Sequence, residues 1–161
     1  MLLTSPSFNH NEKIPPKFTC DGPGINPELH IQNIPDGTVS MVLIMDDPDA
    51  VGGKVFTHWL AWNINPKTEL IKQESAPPWS IEGQNDAGKI GYTGPCPPAG
   101  NPREQRAEQS SYDGKPHRYF FKLYALDCEL VLDQSATKSS LKNAMTGHIL
   151  EQAELIGLYK R

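Results

Sequence analysis

Hydrophobic and polar residues alternate from Glu28 to Ile34, the period of a strand with one buried face, which puts Leu29, Ile31 and Asn33 on the same side. After the turn signal Pro35-Asp36-Gly37 the pattern changes. Val39-Ser-Met-Val-Leu-Ile-Met45 has almost no polar face, which suits a strand covered on both sides. It stops abruptly at Asp46-Asp47-Pro48-Asp49, and Gly52-Gly53 adds a second break. His58-Trp-Leu-Ala-Trp-Asn-Ile64 is again strand-like and is closed by Pro66. Arg118-Tyr-Phe-Phe-Lys-Leu-Tyr-Ala-Leu126 is the clearest strand, dense in aromatic side chains that fit a pleated surface. In the tail the period lengthens. Leu141, Ala144 and Met145 fit one helical face, with Ser139 or Ser140 as N-cap and Gly147 near the stop. A second short turn is expected around Ile149 to Gln152, running into a last strand from Leu155 to Tyr159.

Between these elements the chain is punctuated by turn residues. Asn9 to Asn26 is rich in Pro, Gly, Asn and Lys and is expected to be mostly loop. Pro66 to Pro116 is irregular, with Pro77-Pro78, Pro95 and Pro97-Pro98 as rigid points. So long a stretch without periodicity is unusual inside one domain, and such stretches are often functional. No repeat, low-complexity tract or linker divides the sequence. The pattern therefore predicts one domain over residues 1–161, mainly antiparallel β, with one or two short helices near the C-terminus.

Composition narrows the function classes. The 161 residues can bury a continuous core, and 15 prolines with 13 glycines agree with short strands joined by many turns. Fifteen Lys and Arg against 19 Asp and Glu give a net charge of -4, so there is no basic footprint for nucleic acid and no polybasic route to an anionic membrane. Met1-Leu-Leu-Thr-Ser-Pro lacks the basic and apolar regions of a signal peptide, and Met41 to Met45 is far too short to span a bilayer. A soluble cytoplasmic protein is expected. Cys20, Cys96 and Cys128 are odd in number and lack metal-type spacing, so they read as reduced thiols, with one pair plus a free thiol as the alternative.

Three polar clusters fall at the ends of strand signals: Asp46-Asp47-Pro48-Asp49, His58, and Gly94-Pro-Cys-Pro-Pro98 with His117-Arg118-Tyr119. Strand-end loops carry sites more often than strand middles do. A calcium loop starting at Asp47 fails, because its fifth position is Val51 and its twelfth is His58 instead of a bidentate glutamate. A zinc or iron site of His58, His117 and Asp47 has suitable donor types without supporting spacing. A Cys96–His117–Asp47 hydrolase is disfavoured because Cys96 lies between Pro95 and Pro97, where no helix N-terminus can activate it.

Taken together, Asp47-Pro-Asp-Ala50, His58-Trp59, Gly91-Tyr-Thr-Gly-Pro-Cys-Pro-Pro98, His117-Arg-Tyr-Phe-Phe121 and Tyr124-Ala-Leu-Asp127 resemble the phosphatidylethanolamine-binding proteins, in their bacterial and archaeal Raf-kinase-inhibitor-like branch. Phe18-Thr-Cys-Asp-Gly22 and the tail from Gly147 to Gly157 resemble that branch as well. The resemblance implies an antiparallel β-sandwich with a single anion-binding cavity at one end. Members hold phosphate-like groups or phospholipid headgroups there, and several inhibit kinases or serine proteases. Asp47 then matches the pocket aspartate, His58 and His117 the pocket histidines, Gly94 and Cys96 the ligand-facing loop, and Tyr119 the ring in the wall.

Physical reasoning beside the resemblance expects imidazole N–H groups, backbone N–H groups and the tyrosine hydroxyl to donate to the anion. Asp47 would orient a histidine or accept a proton from the ligand. Asp49 and Arg118 are expected to pair structurally, and Trp59 and Phe120 to lie in the core. Two features depart from the family: Val51 replaces a second proline, and the connection Ala99 to Pro116 is long, either plain surface or a lid. The expectation is a binding or regulatory protein, not an enzyme, without cofactor or metal. Its partners would be a small anionic ligand or phosphorylated group and a protein kinase or protease. The alternative is a cryptic metal- or cysteine-dependent hydrolase built on the same residues.

Overall fold

The computed structural model describes residues 1–99 and 115–161. Among them the chain runs through β1 (Leu2–Thr4), β2 (Glu12–Lys13), a 3₁₀ turn at Pro16–Phe18, β3 (Leu29–Gln32), β4 (Ser40–Asp47) and β5 (Phe56–Ile64). It continues through β6 (Leu70–Ile71), β7 (Ile81–Glu82), β8 (His117–Leu126), α1 (Lys138–Met145) and β9 (Ile149–Tyr159). The strands form a three-stranded sheet ordered β1-β3-β6 and a six-stranded sheet ordered β2-β9-β8-β4-β5-β7.

The apolar run from Val39 to Met45 explains the layering. β4 lies between β8 and β5 and is buried along its whole length. Met41, Leu43 and Met45 face one core with Leu3, Leu29, Ile31 and Ile71 of the small sheet. Val42 and Ile44 face a second core, closed by Leu141 and Met145 of α1. A sheet covered on one face by a second sheet and on the other by a helix needs a central strand without a polar side. The mainly β sandwich is as the sequence predicts, and no helix among the described residues is long and apolar enough to cross a membrane.

Several local expectations are corrected. Asn33 does not continue β3: it is exposed with φ +54, the left-handed conformation asparagine tolerates. Ile149 to Gln152 forms no separate turn but the start of β9, pairing with β8 from Leu126 back to Tyr124. α1 is capped by Thr137, whose hydroxyl accepts from the Ser140 amide at 3.2 Å, so Ser139 and Ser140 lie inside the first turn. Gly147, at φ +83, follows the helix in the conformation that ends many helices. Phe120 is only half-buried, between the cations of Arg118 and Lys122 at 5.6 and 5.2 Å from its ring, and it is Phe121 that enters the core. Trp59 is core, with its indole N–H donating to Glu82 at 2.7 Å.

The cysteines differ most from expectation. Cys20 and Cys96 are joined in a disulfide, and Cys128 is free. Their separation of 76 residues in sequence hid a Cα–Cα distance of 5.3 Å. The reading of three reduced thiols is replaced by the alternative of one pair plus a free thiol, and the cytoplasmic expectation loses the support it drew from that reading.

Candidate functional site

Three adjacent strands deliver the polar residues to one end of the sandwich. Asp47 is the last residue of β4, and His117 is the first of β8 with Tyr119 two positions on, on the same face. Asp46 and Asp47, neighbours in one acidic run, turn to opposite faces. Asp46 pairs with Lys138 of α1 and with Lys122 at 3.5 Å. Asp47 turns towards the sandwich interior.

His58 reaches the same place through an irregularity. Met45 pairs with Trp59 and Asp46 with Thr57, so His58 is the extra residue of a β-bulge opposite β4. A bulge re-aims a side chain that strict alternation would send elsewhere. Here it sets the imidazole 5.2 Å from the ring of Tyr119 and 4.8 Å from Phe56, measured between ring centres.

All six residues expected from the sequence, Asp47, His58, Gly94, Cys96, His117 and Tyr119, line one cavity of about 390 Å³. Ala50, Val51, Phe56 and Thr93 also line it, so the position without the family's second proline is part of the wall. The expected pairing of Asp49 with Arg118 is present. Two guanidinium N–H groups donate to its two carboxylate oxygens at 2.8 Å, and the Arg118 amide adds a bond of 3.0 Å. These bonds hold the Asp49 carboxyl below the usual carboxylate range and fix the β4–β5 connection to β8.

Each polar group in the cavity has one side committed. Asp47 accepts from the Asp49 amide at 2.8 Å and from His117 Nδ1 at 2.9 Å. His58 Nδ1 donates to the Thr93 carbonyl at 2.8 Å, and the Thr93 amide donates back to the His58 carbonyl at 2.9 Å. A carbonyl and a carboxylate only accept, so both imidazoles carry a proton on Nδ1. Among the described residues neither Nε2 atom has a hydrogen-bond partner, and neither is sealed from the cavity. Burial pushes the His58 pKa down from 6.5, against the bond to Thr93 and the charges of Asp47, Asp46 and Asp86. In the neutral ring that N–H is spent on Thr93, so donation from His58 to a ligand takes a second proton, on Nε2. The Tyr119 hydroxyl is enclosed and makes no hydrogen bond of full geometry among the described residues; burial pushes its pKa up, and the charge and close approach of the Asp47 carboxylate add to that.

The remaining wall is the loop Thr93 to Pro98, tied down at several points. Cys96 is bonded to Cys20, the Cys20 amide donates to Pro95 at 3.0 Å, and the Tyr92 hydroxyl donates to Phe18 at 2.7 Å. Gly94 packs so closely that a Cβ would lie 2.7 Å from the Phe18 carbonyl oxygen and 2.9 Å from Thr19 Cα. Thr93 and Asn85 were not anticipated. Asn85 Nδ2 donates to the Gly91 carbonyl at 2.8 Å and to the Thr93 hydroxyl at 3.0 Å, bracing the residue whose carbonyl orients His58. Side-chain patterns carry no signal for a backbone carbonyl. The long connection Ala99 to Pro116 lies mostly outside the described residues.

Two chemistries weighed from the sequence meet geometric obstacles. Cys96 has no free thiol while bonded to Cys20. Among the described residues the donor atoms that converge closely enough for one metal ion belong to Asp127, Cys128 and His148, at the opposite end of β8, and not to Asp47, His58 and His117.

Comparison with known proteins agrees with this architecture. The sequence model of the family described as phosphatidylethanolamine-binding protein matches residues 4–160. The chain is 45% identical over 166 residues to a UPF0098 protein of Pyrococcus horikoshii, spanning 99% of this chain and 77% of that protein. A UPF0098 protein of Methanothermobacter thermautotrophicus is 42% identical over 166 residues, spanning 100% and 99%. Among solved structures, a phosphatidylethanolamine-binding protein homologue of Chlamydia trachomatis is similar with a TM-score of 0.86 at 36% identity, covering 99% of this chain and 97% of that one. YbcL of Escherichia coli, described as a member of the mammalian family, gives a TM-score of 0.85 at 25% identity, covering 99% and 98%.

Proposed function

The chain belongs to the phosphatidylethanolamine-binding protein family, and from that premise we propose that it is a binding protein whose cavity holds a small phosphate-like anion. One observation carries the proposal: two imidazoles, each fixed through Nδ1, leave their Nε2 atoms open on a single cavity of about 390 Å³. That volume lies in the range of small-ligand sites, and the arrangement is built before any ligand arrives. Fixed groups lose little freedom on binding, so most of their interaction energy remains as affinity. The Tyr119 hydroxyl adds a buried polar group with no hydrogen bond of full geometry among the described residues, the kind of group a ligand or water satisfies.

Binding without catalysis fits the same geometry. Cys96, the nucleophile a thiol hydrolase would require, is held in the disulfide with Cys20. Inhibition of a kinase or protease would then be exerted through recognition of a phosphorylated or carboxylated group at the cavity mouth.

Titration calorimetry with inorganic phosphate tests the proposal. One phosphate should bind per chain, and His117→Ala should weaken it roughly ten- to a hundredfold, the worth of a charge-assisted hydrogen bond, with the circular dichroism spectrum unchanged. Equal affinity for wild type and variant would show that the anion does not sit against this histidine.

A further inference from the structure

From the acceptors that line the cavity, we infer that it selects oxyanions that bring their own proton, so that a phosphomonoester or inorganic phosphate is preferred to a phosphodiester or sulfate. The inference rests on the anion reading of the cavity and concerns which anion enters.

A site for a fully ionised anion needs donors, and among the described residues this one is short of them. The Asp47 carboxylate only accepts, and it already takes bonds from the Asp49 amide and His117 Nδ1. Thr93 holds the proton of His58 on Nδ1, so in the neutral ring Nε2 presents a lone pair to the cavity. His117 is in the same position while neutral, because its Nδ1 proton points at Asp47. No lysine or arginine lines the cavity among the described residues. In the loop wall, Pro95, Pro97 and Pro98 have no amide N–H to offer. Carboxylate and imidazole lone pairs therefore face an incoming oxyanion and repel it unless something supplies hydrogen between them.

An acidic P–O–H supplies it. A phosphomonoester monoanion donates that hydrogen to Asp47 or to an imidazole Nε2, and its ionised oxygens remain for backbone amides and the Tyr119 hydroxyl. Its second ionisation lies near pH 6, so a proton is recovered on binding at little cost. Sulfate holds no proton at these pH values and must instead charge an imidazole. For His58 that is opposed by burial, although Asp46, Asp47 and Asp86 on the surrounding elements favour the charge; Phe56 and Tyr119 lie against its ring, and His117 lines the same cavity. A phosphodiester keeps a single negative charge but has no acidic hydrogen. The phosphate of an intact phospholipid is such a diester, so on this reading it is the poorer occupant.

Four probes measured by titration calorimetry at pH 7.5 decide the matter: inorganic phosphate, methyl phosphate, dimethyl phosphate and sulfate. Dimethyl phosphate matches the charge of the protonated monoester, and sulfate matches the charge and shape of the dianion, so charge and protonation are separated. Phosphate and methyl phosphate should bind roughly ten- to a hundredfold or more tighter than the other two, the usual range when a site built around a ligand hydrogen meets an analogue without one. Repeating the methyl phosphate titration in buffers of different ionisation enthalpy should show net proton uptake. Asp47→Asn, which replaces an acceptor with a donor of the same shape, should narrow the gap by improving sulfate. Should Asp47→Asn fail to fold, the four-probe ranking on the wild-type chain still decides. Dimethyl phosphate or sulfate binding as tightly as methyl phosphate would overturn the inference and leave the anion site standing. If none of the four bound, the anion reading itself would fall.

Discussion

His58 shows how much a single backbone carbonyl decides. Thr93 fixes its tautomer at 2.8 Å, and burial lowers its pKa from 6.5. A base whose pKa is lower folded than unfolded binds more protons when unfolded, so its contribution to stability is complete above pH 6.5 and is lost as pH falls towards the folded value. Thermal unfolding in anion-free buffer should therefore show a midpoint that drops below pH 6.5, and His58→Gln should flatten that drop. An unchanged slope would mean that another group titrates there. At Tyr119 the expectation is the reverse of an ordinary truncation. Removing a buried hydroxyl that makes no hydrogen bond of full geometry among the described residues relieves a desolvation cost, so Tyr119→Phe should leave the ligand-free protein as stable or more stable by about 1 kcal/mol. Destabilisation by about 2 kcal/mol or more in denaturant unfolding would show that the hydroxyl is already satisfied. The side chains of this site were legible in the sequence because aspartate, histidine and tyrosine stood at the ends of strong strand signals and in a family-like order. Thr93 was not, since its part is played by its carbonyl.

At the scale of elements, periodicity located the long strands and failed where a partner overrode local pattern. β4 was read correctly because a run of apolar residues has one simple explanation, burial on both faces. Ile149 to Gln152 was misread because its extended form depends on β8 across the hairpin, which local sequence does not reveal. The bulge at His58 was equally invisible, although it gathers the site: one extra residue against Met45 and Asp46 turns the ring into the cavity. Gly94 belongs to this scale as well. The sequence suggested a backbone that can face a ligand; Gly94 lines the cavity, and on its other side the loop is pressed on the 3₁₀ turn, with no room for a Cβ against Phe18 and Thr19. Gly94→Ala should accordingly cost about 1–3 kcal/mol in ligand-free protein by chemical denaturation. Unchanged stability would show that the loop shifts freely and that packing does not explain the glycine.

Across the whole molecule, the disulfide joins segments far apart in sequence at the wall of the cavity, and three isolated cysteines gave no means of choosing the pair. Closing a loop of that length restricts the unfolded chain, and loss of the bond should cost roughly 2–4 kcal/mol. The paired substitution of Cys20→Ser with Cys96→Ser, measured by denaturant unfolding against the oxidised protein, should show that loss, with Cys128 left in place in both. Equal stability would mean that Cys20 and Cys96 are not bonded in solution. The central claim, that two fixed imidazoles make this cavity an anion site, is tested most directly by a crystal structure grown with inorganic phosphate. The account predicts one phosphate inside the cavity, with oxygens at hydrogen-bond distance, about 2.6–3.2 Å, from Nε2 of His58 and of His117. Phosphate bound only elsewhere on the surface, with water alone against both imidazoles, would contradict it.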